Sequence, residues 1–149
     1  MCLYNVHLSA YTSDGSIATE QLEMLLADME AEYAAGNYAV CGGDFNKDLL
    51  GDSAKVFGVA GEGQTWAQPF PGELLDGGIC LEVPDAGAAD PVPSCRNADG
   101  PYQPGTSFVL TVDGFLVSGN VAVESVAVVD TGFAWSDHNP VQLTFRLEG

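Results

Sequence analysis

Tyr38-Ala39-Val40-Cys41-Gly42-Gly43-Asp44-Phe45-Asn46 runs from an apolar stretch straight into a polar cluster. That pattern reads as a short buried strand over residues 38–42 and a polar loop over 43–51, carrying Asp44, Asn46 and Asp48. Immediately upstream lies the clearest helix of the chain, about residues 17–35. Leu22, Leu25, Leu26, Met29 and Tyr33 recur there at three- and four-residue steps and make one apolar face. Glu20 and Glu23 suit its positive N-terminal end, and Gly36 is a natural stop. Asp14-Gly15 marks a turn over 12–16. Before that turn, residues 2–10 begin apolar and read as a strand. Strand, helix, strand predicts a parallel pair with a right-handed crossover.

Downstream, a short helix is expected over 52–57. Residues 61–106 hold every proline except Pro140, and many glycines. This stretch is expected to be a variable, loop-rich insertion capping one edge of the domain, with Thr65-Trp66-Ala67 as a short strand inside it. Three strands follow, over 107–118, 121–129 and 140–147. The middle one alternates as Val121, Val123, then Val126 and Val128, a phase slip that predicts a bulge. In the last, Val141, Leu143, Phe145 and Leu147 share one face. Gly119-Asn120 reads as a hairpin turn. The order β-α-β, long loop, β-β-β predicts one α/β domain over 1–149 with a mixed sheet.

The chain has 21 acidic and 4 basic residues, a net charge of −17. Nucleic-acid affinity rests on several lysine or arginine contacts to phosphates, and only Lys47, Lys55, Arg96 and Arg146 are on offer. A small soluble phosphoester is therefore a better substrate class than DNA or RNA. No apolar stretch approaches the ~20 residues that span a bilayer. No signal segment is visible, so the chain as given is expected in the cytoplasm. The four cysteines, Cys2, Cys41, Cys80 and Cys95, form no CxxC pair, which disfavours structural zinc. Cys2 and Cys41 read as buried thiols. Cys80 and Cys95 bracket a Pro-rich loop, and a disulfide between them is one alternative.

Asp44 and Asn46 lie two apart at a strand end, where ligands gather in open α/β sheets. A carboxylate there can bind a hard cation or orient a water, and an amide can donate to a phosphate oxygen. The plain alternative is a turn whose Asp and Asn cap backbone groups. Asp113 sits within the apolar run Val112-Asp113-Gly114-Phe115, where a carboxylate is costly unless paired. His138, in Ser136-Asp137-His138, is its natural partner, because an Asp–His hydrogen bond fixes the imidazole tautomer. His7 interrupts the first apolar strand.

Asn5-Val6-His7-Leu8, Gly43-Asp44-Phe45-Asn46, Val112-Asp113-Gly114-Phe115 and Ser136-Asp137-His138-Asn139-Pro140 occur in this order. Taken together they resemble the endonuclease/exonuclease/phosphatase superfamily over nearly the whole chain, with 61–106 divergent. The resemblance implies a metal-dependent phosphoesterase that hydrolyses phosphodiesters or phosphomonoesters by direct attack of water, with Mg²⁺ or Mn²⁺. His7 would contact the scissile phosphate. Asp44 would orient or deprotonate the water and share in holding the metal, and Asn46 would support the phosphate. Asp137 would help hold the metal. His138, paired with Asp113, would stabilise developing charge. Arg96, the only arginine of the variable stretch, is a candidate substrate contact, and Trp66 and Tyr102 are candidates to line a pocket or to pack.

The resemblance also implies a departure. Family members combine two such halves in a four-layer β-sandwich, and this chain corresponds to the C-terminal half. The first half's Asn motif and metal-binding Glu have no counterpart here. One sheet face would then be bare, to be covered by a missing N-terminal half or by a second copy in a homodimer. The alternative to an enzyme is a non-catalytic remnant, or an acidic binding module that keeps the fold.

Overall fold

The computed structural model describes residues 1–10, 12, 14–59 and 66–148. Its centre is a four-stranded sheet in the order β1 (Cys2–His7), β2 (Ala39–Asp44), β8 (Asp113–Ser118) and β5 (Ile79–Glu82). Strand β1 (Cys2–His7) leads through helix α1 (Ser16–Ala34) to β2 (Ala39–Asp44), and β1 and β2 pair in parallel, as strand, helix, strand requires. Strand β8 (Asp113–Ser118) pairs antiparallel with β2 on its other side, and β5 (Ile79–Glu82) pairs antiparallel with β8. The sheet is mixed and the class is α/β.

Helix α1 covers one face of this sheet. Ala18, Leu22, Leu26 and Met29 are buried against Ala39, Cys41 and Leu116, with Leu25 and Tyr33 packed at the margin. Each fully buried Leu or Met contributes about 2 kcal/mol, so the periodic stripe in the sequence is the main core. The helix starts at Ser16, after Gly15 at φ 68°, and its first turn holds no acidic residue. Glu20 and Glu23 therefore lie beyond the turn they were expected to complement. Gly36, at φ 84°, ends it as expected.

The opposite face is only partly covered. Strands β9 (Val121–Val128) and β10 (Val141–Leu147) form an antiparallel pair. Val121, Val123, Leu143 and Phe145 pack there on Val40 and Val117. Thr144 pairs with Ser125 and Phe145 with Val123. Glu124 is thus the extra residue of the bulge that the phase slip predicts. A groove of 620 Å³ remains along this face, lined by Leu3, Asn5, Gly42, Phe115, Leu143 and Phe145 among others. Leu3 is 67% exposed.

Several expectations need correction. Gly119-Asn120 does turn the chain, but β8 and β9 belong to different sheets, so it closes no hairpin ladder. The run 107–118 is two strands, β7 (Val109–Leu110) and β8, with Thr111-Val112 between them. The 61–106 stretch does more than cap an edge, because β5 belongs to the main sheet. It also supplies β4 (Gln68–Pro69), paired with β3 (Lys47–Asp48), and β6 (Cys95–Arg96), paired with β7. The strand expected at Thr65-Trp66-Ala67 is displaced: Trp66 and Ala67 precede β4, and Thr65 lies outside the described residues. Helix α2 (Ser53–Val56) falls where expected, capped by the Asp52 side chain. All four cysteines are free thiols. Cys80 is exposed and Cys95 buried, while Cys2 is only half-buried and donates to Glu32.

Gly43 marks the tightest point of the sheet. It has φ 147°, and a Cβ there would lie 2.0 Å from the Val6 carbonyl oxygen. Gly43→Ala is therefore expected to force β1 and β2 apart beside Asp44. It should destabilise the protein by on the order of 3 kcal/mol, read from urea unfolding, whereas Gly51→Ala, which meets nothing within 4 Å, should cost less.

Candidate active site

The site begins with register. His7 is opposite Asp44 across β1 and β2, and Asp44 is opposite Asp113 across β2 and β8. Directly opposed residues point to the same face of a sheet. The three side chains thus form one row at the end of the sheet, on the face away from α1. They continue the line of Leu3, Asn5, Gly42 and Phe115, so the row is the polar end of the partly open face.

The connection between β9 and β10 brings the fourth group. Residues 94–96 and 137–139 run antiparallel: Arg96 N–H donates to the Asp137 carbonyl at 2.9 Å, and Asn139 N–H to the Ser94 carbonyl at 2.8 Å. The Asn139 amide donates to the Pro93 carbonyl, and its oxygen accepts from Thr131 N–H and hydroxyl. Held this way, His138 Nδ1 lies 2.8 Å from Asp113 Oδ2, and its Nε2 lies 3.4 Å from Cys95 Sγ and 3.9 Å from Asp44 Oδ2. His7, mostly exposed, puts Nε2 3.6 Å from Asp44 Oδ2.

Asp44 and Asn46 also form the turn that was the plain alternative. Asn46 N–H donates to Asp44 Oδ1 at 2.8 Å. Asn46 itself has φ 49°, a left-handed conformation that Asn tolerates better than most residues. Its amide nitrogen donates inward to the Leu8 carbonyl at 2.7 Å, and its oxygen accepts the Trp66 indole N–H at 3.2 Å.

A cavity of 440 Å³ opens on these groups. His7, Asp44, Asn46, Arg96, Asp137 and His138 line it, together with Trp66 and Cys95. Of the sequence-predicted site residues, only Asp113 is absent from the wall, because it stands behind His138. Arg96 reaches the cavity, but its Nη1 donates to the carbonyls of Asn97 and Gly100. Tyr102 packs edge-on against Phe133 instead. Ser94, Cys95 and the clamp they form were not signalled by the sequence. Only the cost of a carboxylate in an apolar strand pointed toward Asp113's need for partners.

The electrostatics follow from burial and pairing. Burial pushes the Asp44 carboxyl above its usual range and the nearby Asp113 charge adds to this, while the Asn46 N–H and the two histidines pull it back. His138 is raised to about 11, chiefly by its hydrogen bond to Asp113 and next by Cys95, against burial. Burial raises the Cys95 thiol, partly offset by His138. Among the described residues, Asp44, Asp113 and His138 offer donor atoms within 4.8 Å of one another. Two carboxylates and an imidazole suit a divalent cation, and a cation would relieve the repulsion at Asp44. Asp137 lies on the cavity wall but outside that trio.

No protein-family model and no curated protein matches the chain. Solved structures do. A mannosyl-6-phosphatase of Bacteroides thetaiotaomicron is similar at a TM-score of 0.51 and 16% identity, over 97% of this chain and 51% of that one. An endonuclease/exonuclease/phosphatase family protein of the same organism is similar at 0.52 and 14%, over 96% and 48%. ANGEL2, a 2′,3′-cyclic phosphatase in complex with adenosine-2′,3′-vanadate, is similar at 0.58 and 17%, over 98% and 56%. The chain thus spans about half the length of the solved structures it matches.

The Asp113–His138 pair makes stability depend on pH. A histidine raised from 6.5 to about 11 contributes its full stabilisation below about pH 6.5, and loses it as pH rises toward 11. In EDTA-treated protein, the stability lost in Asp113→Asn is therefore expected to be largest near about pH 6 and to shrink by about pH 10 in urea titrations. A loss that grows with pH would contradict the pairing. The chain shares its fold with the matched half of these structures, an endonuclease/exonuclease/phosphatase family protein among them.

Proposed function

We propose that the protein is a metal-dependent phosphoesterase, with a small phosphoester as substrate. The observation that carries this reading is the row His7–Asp44–Asp113, backed by His138 on Asp113 at 2.8 Å and opening on one cavity. A carboxylate with raised basicity beside an imidazolium is a pairing suited to water attack on phosphorus. Asp44 orients the attacking water and takes its proton. His138, kept protonated by Asp113, donates to a phosphate oxygen as charge builds in the transition state. His7 contacts the same phosphate group, and Asn46 supports it by holding the Asp44 turn. The water oxygen bonds to phosphorus as the phosphorus–oxygen ester bond breaks, without a covalent intermediate, and the departing alkoxide takes a proton from solvent.

Mg²⁺ or Mn²⁺, when bound, supplies Lewis-acid polarisation of a phosphate oxygen. Asp44 and Asp137, both on the cavity wall, are the residues proposed to hold it. Arg96 is the proposed contact for an anionic group of the substrate, through the guanidinium nitrogens not engaged by Asn97 and Gly100. A small substrate is favoured by the net charge of −17, which repels polyanions at long range. No helix among the described residues is long and apolar enough to cross a membrane.

The partly open sheet face belongs to the same proposal. Its groove is lined by Asn5, Gly43 and Phe115, close in sequence to His7, Asp44 and Asp113, so a layer that covers the face would also flank the site. A further β-layer is the natural cover, either from the rest of a longer protein or from a second copy of this chain. A non-catalytic module that keeps only the fold is the competing reading.

Hydrolysis of bis-p-nitrophenyl phosphate with Mn²⁺ tests the enzyme. Activity should vanish with EDTA, and Asp44→Asn or His138→Ala should lower kcat by roughly a hundredfold or more. Folded, pure protein that shows no metal-dependent turnover at high concentration would favour the non-catalytic module. Arg96→Ala should raise KM with little change in kcat. Light scattering after size-exclusion chromatography distinguishes the covers: a dimer supports the second copy, and a monodisperse monomer removes it.

A further inference from the structure

Ser94 is wholly buried, and its hydroxyl has three partners. Val112 N–H donates to Ser94 Oγ at 3.0 Å and Asp113 N–H at 3.1 Å. Ser94 Oγ is 2.8 Å from Asp113 Oδ2. A hydroxyl has two lone pairs and one proton. The two backbone amides occupy the lone pairs. The single proton has one direction left, toward Asp113 Oδ2.

That assignment propagates to the histidine. Asp113 Oδ2 accepts from Ser94, so it faces His138 Nδ1 as an acceptor as well. Nδ1 must then carry a proton, whether the ring is neutral or charged. Nε2 is left toward Cys95, Asp44 and the cavity. We infer that Ser94 is a positioning residue for the site: its hydroxyl proton orients the Asp113 carboxylate, and the carboxylate in turn orients the His138 imidazole.

The backbone supports the same division of labour. Val112 and Asp113 stand where β7 gives way to β8, so their amides lack a continuous ladder there. One side chain, from the residue just before β6, satisfies both. The same segment, residues 94–96, holds residues 137–139 by main-chain bonds. Ser94 thereby ties both members of the Asp–His pair, Asp113 through its side chain and His138 through its backbone neighbours.

The consequence for turnover rests on the phosphoesterase reading above; the consequence for the imidazole does not. The test uses Ser94→Ala and Ser94→Cys. The cysteine variant nearly preserves the side chain's shape and offers the two amides a weak acceptor, but its S–H is a poor donor. Circular dichroism and urea unfolding identify which variants fold, and the folded ones decide the result. In protein labelled with ¹⁵N-histidine, the His138 Nδ1–H proton should resonate far downfield in the parent. In the folded variants it should move upfield or be lost to exchange with water. Where turnover is measurable, kcat should fall on the order of tenfold, with KM unchanged. An unaltered Nδ1–H resonance in a folded variant would reduce Ser94 to a cap for two amides and overturn the assignment. Absence of turnover in the parent would remove the phosphoesterase reading and leave the resonance experiment to decide Ser94.

Discussion

The register of one strand organises everything else. Strand β2 is paired in parallel with β1 and antiparallel with β8, and its last residue, Asp44, meets His7 on one side and Asp113 on the other. Side chains alternate across a strand, so a slip of one residue would turn Asp44 toward the helix and bury a charge in the core. The apolar pattern prevents that slip. Ala39 and Cys41 are fully buried under α1, while Val40 packs on the opposite face. Gly42 and Gly43 then let the chain pass where a side chain would collide with Phe115 or with the Val6 carbonyl. The polar row is thus placed by the packing of the residues just before it.

Around that row, charge is arranged with few cations. Burial and a neighbouring carboxylate raise Asp44, and an aspartate raises His138. The two changes are complementary, because each brings its group closer to a state useful in proton transfer and charge stabilisation. The groups that produce them are inside the protein and little screened by salt. The acidic surface contributes at longer range, discouraging large polyanions without altering the local chemistry.

Much of this was legible in the chain, for identifiable reasons. The stripe Leu22, Leu26, Met29 repeats at the helical period because one face meets the sheet. The Val121-to-Val128 phase slip revealed the bulge at Glu124, because period-two alternation cannot absorb an extra residue otherwise. Asp113 stood out as a carboxylate in an apolar strand, and His138 was its nearest plausible partner. Strand β5 was hidden because Ile79-Cys80-Leu81-Glu82 is short and lies between Gly-rich and Pro-rich segments. The separation of β8 from β9 was hidden too, because a Gly-Asn turn signals a reversal of direction but not whether the two arms hydrogen-bond.

Sequence alone determined the kinds of side chain at the strand ends, the parallel β-α-β unit and the resemblance of architecture. Those features are local, or depend on a period that a single segment carries. Tertiary structure alone decided that Ser94 stands against Asp113, that Cys95 stands beside His138 and that Asn46 turns its amide toward Leu8. It also decided that the row His7–Asp44–Asp113 closes one end of a partly open sheet face. Each of these depends on hydrogen bonds between segments far apart in the chain, 43 positions for Cys95 and His138. Such pairing arises only when the register of several strands is set at once, and leaves no period in the chain that carries it.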